Sequence, residues 1–176
     1  IDAYGADSLR LFEMFLGPLE AVKPWSEKGI EGVHRFLKKV FREANASEKH
    51  STSEESNPET LRLLHETILK VTDSIDDLRF NVAISQMMIL ANQLQKVESF
   101  SLETIKTLLQ LLAPLAPHLS EELWQKLGGA DSIVHQPWPI ARNELLVSDQ
   151  ITIVFQVNGK LRGEAKFAKD ASKDEI

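Results

Sequence analysis

The chain has 176 residues, of which 43% are hydrophobic and 26% charged, a composition typical of a globular protein with one core and a small appendage. Its 20 Lys and Arg against 26 Asp and Glu give a net charge of −6, which excludes a surface that attracts nucleic acid indiscriminately. Because there is no cysteine, disulfides, thiolate metal sites and a cysteine nucleophile are also excluded. No apolar run reaches the roughly 20 residues that span a bilayer, so we expect no membrane contact. The lack of cysteine fits a reducing compartment, and we expect a cytoplasmic protein.

The first predicted element is a short helix that starts after Asp7, a residue type that commonly caps helices. Gly17-Pro18 ends this helix, and we expect residues 1–25 to form a connector helix and loop. The apolar residues of this helix recur at helical spacing: Leu9, Phe12, Phe15 and Leu16.

A second helix is predicted after Ser26, which is placed to cap it. One side of this helix is basic, and the other carries an apolar stripe that we expect to face a core: Ile30, Val33, Leu37, Val40 and Phe41. The following segment, residues 45–57, contains no large apolar residue. We therefore expect it to be a mobile loop, since it buries too little to offset the entropy of ordering.

Four further helices complete a predicted bundle over residues 26–130. Asn57-Pro58 begins a helix with an apolar seam at intervals of three and four residues, from Leu61 to Leu78. The next begins near Arg79 and another after Ser101, and a last helix over residues 118–127 ends at Gly128-Gly129. The sequence therefore predicts a mainly α fold, a bundle of about five helices with a connector helix before it.

The hydrophobic period changes near the end of the chain. Ile151, Ile153, Phe155 and Val157 alternate as in a strand, and Asn158-Gly159 predicts a tight hairpin turn. We expect residues 131–149 to be a connector and residues 150–176 to begin a small α/β domain. Because a capping-box pattern, Ser172 to Glu175, stands at the very end, we also expect the chain to be a piece of a longer protein.

Several motifs resemble the leucyl-tRNA synthetase family, a class I aminoacyl-tRNA synthetase family. The step Tyr4-Gly5-Ala6-Asp7 also resembles valyl and isoleucyl synthetases, whereas the residues after it favour the leucyl family. Those residues are Phe12-Glu13-Met14-Phe15, Gly17-Pro18 and Lys23-Pro24-Trp25, and the resemblance extends to Arg79-Phe80-Asn81, residues 114–118, Glu121-Glu122-Leu123-Trp124 and the hairpin residues 154–163.

The resemblance implies a helical tRNA-binding domain of the anticodon-binding type, downstream of the Lys-Met-Ser-Lys-Ser catalytic loop that this chain lacks. The parent enzyme would use ATP and magnesium to attach leucine to tRNA(Leu), with no catalytic residue, cofactor or metal in this part. Its partners would be tRNA(Leu) and the remaining domains of the same chain, and we expect a monomer. The alternatives are a fragment of a valyl- or isoleucyl-tRNA synthetase, or a non-catalytic helical bundle that binds another protein.

The candidate tRNA contacts begin with the basic face of the second helix. Residues 23–42 contain six Lys or Arg against two Glu, a local charge of +4 that favours phosphate binding, although a basic face is often only a solvated one. The face comprises Arg35, Lys38, Lys39 and Arg42, and Lys23, just before this helix, is a further candidate contact.

Two further pairs of residues are candidates. Arg79 and Asn81 either touch RNA or serve the helix start, where Arg79 is close in sequence to acids. Lys160 and Arg162, two apart on one predicted strand, either meet phosphates or protect a strand edge.

His118 and Glu122 have the spacing of two metal ligands, but a third ligand is missing, so we predict no metal site.

Overall fold

A computed structural model describes residues 3–18, 20, 22, 29–54, 57–146, 150–157 and 160–168, the last two ranges as backbone only. The chain divides into two compact units, residues 1–141 and 142–176. The first unit is helical, which confirms the predicted fold class. Its helices are α1 (Ala6–Phe15), α2 (Ile30–Asn45), α3 (Pro58–Asp76), α4 (Phe80–Lys96), α5 (Leu102–Leu112) and α6 (Pro117–Lys126).

Helix α5 buries a wide apolar face in the core. Its Ile105, Leu108, Leu109 and Leu112 have no exposed surface, and neither does Leu111 on another side of the helix. The opposite side of α5 is polar and carries Glu103, Lys106 and Gln110, so only its wide apolar side is covered, and the other helices supply that cover. They contribute Leu11, Phe12, Val33, Leu37, Val40, Leu64, Ile68, Val71, Ile84, Met87, Leu90, Leu94, Leu123 and Trp124.

The predicted helix boundaries are confirmed where local chemistry determines them. Asn57 Oδ1 accepts hydrogen bonds from the N–H groups of Glu59 and Thr60, both at 3.0 Å. Ser101 Oγ accepts from Glu103 N at 3.3 Å. Gly128, with φ 73°, ends α6 in the left-handed conformation that glycine adopts at low cost. The predicted Ser26 cap lies outside the described residues.

Two residues of the predicted apolar stripes are exposed instead. Phe41 is 45% exposed, and Phe36 takes a place in the core face of α2 with 4% exposure. Leu78 is 56% exposed because α3 already ends at Asp76 and Leu78 adopts φ 57° in the turn to α4. Phe41 was wrongly predicted because it lies at the edge of the apolar stripe, and Leu78 because the helical period was continued past the end of α3.

The expectation of a mobile loop over residues 45–57 was wrong for residues 46–54. A 3₁₀ turn (Ser47–Lys49) leads into strand β1 (His50–Ser51), which pairs in parallel with strand β2 (Phe100–Ser101). Polar side chains anchor it: Lys49 Nζ donates to the Glu43 carboxylate at 3.0 Å and to the Leu94 carbonyl at 2.8 Å. Buried polar bonds order this segment in place of apolar burial.

Helix α1 packs on the bundle. Arg10 Nη2 donates to the carbonyl of Pro114 at 3.1 Å, and Leu11 and Phe12 are buried in the common core. The prediction that Asp7 caps α1 was wrong, because Gly5 holds that position and the Asp7 carboxylate bonds α6. The side chain of Asp7 thus caps the distant helix α6 instead of its own helix.

Part of the predicted connector also packs on the first unit. Ile133 is 4% exposed, and Trp138 Nε1 donates to Thr72 Oγ1 on α3 at 2.8 Å. Among the described residues, no helix combines the length and the apolar character needed to cross a membrane.

The second unit contains an antiparallel pair, strand β3 (Gln150–Val157) and strand β4 (Lys160–Ala168). The pairing of Val157 with Lys160 confirms the hairpin, although the predicted turn residues lie outside the described residues. The register shifts between Phe155 and Gln156, so that Gly163 and Leu161 have strand partners and the intervening Arg162 has none.

Candidate nucleic-acid interface

The basic residues of α2 lie on the side of the helix opposite its core face. Arg35, Lys38 and Arg42 are exposed and Lys39 is half-buried, whereas Val33 and Val40 have no exposed surface. At 100° per residue these four cations fall within about a third of the helix circumference. We call this set, Arg35, Lys38, Lys39 and Arg42, the basic strip.

The members of the basic strip differ in their partners. Within the described part of the chain, no ion pair gives Arg35 or Lys38 an acidic partner. Lys39 donates to the side-chain oxygen of Asn92 on α4, and Arg42 donates to Glu43 Oε1 through Nη2 at 2.9 Å. Arg35 and Lys38 are therefore the members best available to an anionic ligand.

Lys96 on α4, which no sequence pattern singles out, extends this surface. Helices α2 and α4 advance in the same direction, because Lys39 contacts Asn92 while His50, further along, pairs with Phe100. The exposed Lys96 follows Asn92 by one helical turn, as Arg42 follows Lys39 by nearly one turn. Lys96 therefore lies at the same height along the bundle as Arg42. The sequence does not predict this, because Lys96 is not part of any basic cluster along the chain.

Arg79 and Asn81 are not adjacent to the basic strip. Arg79 precedes Asn92 by about 20 Å along the axis of α4. Its Nη2 pairs with Asp77 Oδ2 at 2.6 Å, and the Asn81 carbonyl accepts a bond from Ser85 Oγ at 2.8 Å. The Arg79 side chain therefore pairs with an acid at the start of α4 and makes no capping hydrogen bond there, and a role of Arg79 or Asn81 in RNA contact stays a prediction.

No side chain is described at the three other predicted positions. Lys23 lies outside the described residues. Lys160 and Arg162 belong to β4, in the second unit, where only the backbone is described. The register shift at Arg162 interrupts the regular alternation on which the prediction of a shared strand face depended.

His118 pairs with the carboxylate of Asp7. Its Nδ1 lies 2.8 Å from Asp7 Oδ1, and the described residues contain no group of three or more His, Cys, Asp or Glu side chains that could hold a metal ion. An open groove of about 590 Å³ lies beside this pair, between the start of α1, α2 and the start of α6.

Comparison with known proteins places this helical unit in a family. Residues 58–176 match the family described as "Anticodon-binding domain of tRNA ligase", and the chain belongs to that family. Helix α2 precedes the matched residues. Within the tRNA ligases, the similarity is to leucine–tRNA ligases, which confirms the resemblance found in the sequence.

The relatives cover the whole chain. It is 48% identical to the leucine–tRNA ligase of Chlorobaculum tepidum and 47% identical to that of Chlorobaculum parvum, in each case over 100% of this chain and 22% of the relative. The chain therefore spans about a fifth of the length of these relatives. The structure also matches the agnB2 LeuRS of Agrobacterium radiobacter K84, solved as a ternary complex with tRNA and LeuAMS. That match has a TM-score of 0.74 and 27% identity, over 97% of this chain and 24% of that one.

Proposed function

We propose that this chain is the tRNA-binding helical part of a leucine–tRNA ligase. It holds tRNA(Leu) while other parts of the longer enzyme attach leucine to the tRNA. The observation that carries the proposal is the basic strip, two of whose cations, Arg35 and Lys38, are exposed without acidic partners among the described residues of a chain with net charge −6. The similarity to leucine–tRNA ligases supports the choice of tRNA as the ligand.

The basic strip suits backbone phosphates more than base edges. It lies on the exposed side of one helix, opposite the core face, where long cationic side chains can reach a phosphate backbone. Contacts of this kind fix the register and orientation of a nucleic acid without reading its sequence. We therefore assign the strip, with Lys96, to positioning tRNA(Leu), and assign selection among tRNAs to other parts of the longer enzyme.

The parent activity would require ATP and magnesium. The described residues offer no cluster of carboxylates suited to a metal ion, so we assign no step of that chemistry to them. A cytoplasmic location, a monomeric state and the division at residues 25, 130 and 149 remain predictions. No observation favours the protein-interaction bundle over tRNA binding.

The test is binding of the full chain to tRNA(Leu) and to an unrelated tRNA across a salt series. Arg35→Glu and Lys96→Glu should each weaken binding and reduce the slope of log K against log salt by roughly 0.7 to 0.9 for each phosphate that is no longer neutralised. Lys70→Glu is the matched control, because it makes the same change in net charge at an exposed position on α3. An equal effect of all three variants would reject the assigned surface, and no binding at low salt would reject the proposed function.

A further inference from the structure

The groove beside α2 is lined mostly by side chains that the proposed function does not use. Four rings border it: Tyr4, His34, Phe41 and His118. Phe41 is 45% exposed, an unusual state for a phenylalanine at the edge of a core. The groove also has an aliphatic floor that includes Leu37 and Leu119. A volume of about 590 Å³ is within the range of sites that hold small organic ligands.

The few polar groups in the groove are held in place by bonds around it. His34 Nδ1 bonds Ser8 Oγ at 3.0 Å, and the Tyr4 ring meets the His34 ring edge-on at 5.2 Å between centroids. His118 Nδ1 donates to Asp7, whose other oxygen accepts the Leu119 N–H, so the one acid of the groove is already engaged. In both imidazoles these bonds use Nδ1, and within the described part of the chain no hydrogen bond to either Nε2 is seen, so Nε2 is the atom that would bond a ligand.

The groove is continuous with the basic strip through one residue. Lys38 lines the groove and is also a member of the strip, exposed and without an acidic partner among the described residues. A ligand with a planar ring and a phosphate fits this combination, because the ring would lie against the aromatic side chains and the phosphate would reach Lys38. Unstacked RNA bases are commonly held on Phe, Tyr and His in this way.

We propose that this groove binds one unpaired nucleotide of an RNA, with the base against Phe41 and Tyr4 and its phosphate at Lys38. The inference rests on the proposed function, since it makes the groove an extension of the tRNA-binding surface. It adds a site that recognises an unstacked base beside a strip that contacts only the backbone. A polypeptide segment or a second copy of the chain is the competing occupant, and the charge of Lys38 favours the nucleotide.

The experiment is a titration of the full chain with AMP, UMP and ribose 5-phosphate, followed by NMR of the histidine imidazoles. Saturable shifts of His34 and His118 with the nucleotides are expected, with ribose 5-phosphate weaker by at least about five-fold because it has no base. Phe41→Leu, which removes the ring but keeps an apolar side chain, should weaken nucleotide binding at least about five-fold. Ile140→Ala, at a site 85% exposed and outside the groove lining, is the control and should leave it unchanged.

Other outcomes overturn the inference. Absence of imidazole shifts, equal binding of ribose 5-phosphate, or shifts that follow protein concentration alone would each reject the nucleotide, the last in favour of a second copy. If Phe41→Leu binds tRNA as the unmodified chain does while Arg35→Glu does not, the groove proposal fails and the proposed function stands. If the chain binds no tRNA, the proposed function fails and the nucleotide titration still decides the groove.

Discussion

Asp7 and Leu119, 112 residues apart in the chain, are joined by a hydrogen bond of 2.7 Å from the Leu119 N–H to Asp7 Oδ2. Helix α6 begins at Pro117 after Ala116, which has no side chain able to cap it. Asp7 of α1 therefore satisfies an N–H at the start of α6 and adds a negative charge where the helix dipole favours one. The bond fastens the first helix to the last.

Loss of the Asp7 carboxylate should destabilise the first unit. Asp7→Ala is expected to lower the free energy of unfolding by about 1–2 kcal/mol, the upper part of the range for helix caps, because Asp7 is buried. Asp7→Asn keeps an acceptor and should lose less. Urea denaturation measures both, with Glu13→Ala, at an exposed position on α1, as the control. An Asp7→Ala variant with an unchanged free energy of unfolding would mean that the cap contributes nothing to stability.

Glu43 is expected to determine the order of the segment after α2. Its carboxylate is 4% exposed and accepts bonds from Arg42 and Lys49, and its carbonyl oxygen lies 2.8 Å from His50 Nε2. Glu43→Ala should destabilise the protein by about 1–3 kcal/mol, because Lys49, 17% exposed, loses its acid while keeping the Leu94 carbonyl.

The same substitution should raise the rate of amide hydrogen exchange at Lys49, whose N–H bonds the Ala46 carbonyl at 2.9 Å. Glu43→Gln, which preserves the shape and an acceptor oxygen, is the matched variant and should have a smaller effect on both measurements. Unchanged exchange in Glu43→Ala would show that the segment is ordered by the β1–β2 pairing alone.

Three glycines should respond differently to replacement by alanine. At Gly129 an added Cβ would lie 2.1 Å from Trp124 Nε1, so the buried indole must move, and we expect a loss of about 1–3 kcal/mol. At Gly128 there is space but φ is 73°, and we expect a loss of about 1–2 kcal/mol. At Gly32, inside α2 with open space, alanine should stabilise by about 0.5–1 kcal/mol. Thermal unfolding of the three variants checks the order, and a destabilised Gly32→Ala would contradict it.

Glu121 should contribute stability that depends on pH. A hydrogen bond from Ser132 Oγ, then one from Gln125, and a further one from the Ile133 N–H lower the pKa of its carboxyl below the usual 4.5. A carboxyl whose pKa is lower in the folded state stabilises the fold fully above its unfolded pKa. That contribution is lost as the pH falls from 4.5 through the lowered folded value.

Urea denaturation of the unmodified chain and Glu121→Gln at several pH values provides the measurement. The difference in unfolding free energy between them should be constant above pH 4.5 and should shrink below it. A difference that stays constant down to the acid transition would show that the carboxylate charge has no part in holding residues 132 and 133.

The residues that local chemistry governs were predictable. Asn57, Ser101 and Gly128 act on atoms within a few residues of themselves, so their types and positions predicted the helix boundaries. The grouping of Arg35, Lys38 and Arg42 on one face likewise follows from helical geometry alone. The family resemblance rested on short motifs and was also available from the sequence.

Only the tertiary structure decided which distant groups meet. Three features depend on which helices become neighbours and in which direction they run. They are the capping of α6 by Asp7, the order of residues 46–54 around Glu43, and the position of Lys96 beside the basic strip. Sequence spacing encodes the face of a helix but not the helix that will cover it. The amino-acid sequence therefore determined the elements and the basic strip, whereas the packing of those elements decided the partners of Asp7 and Glu43 and formed the groove.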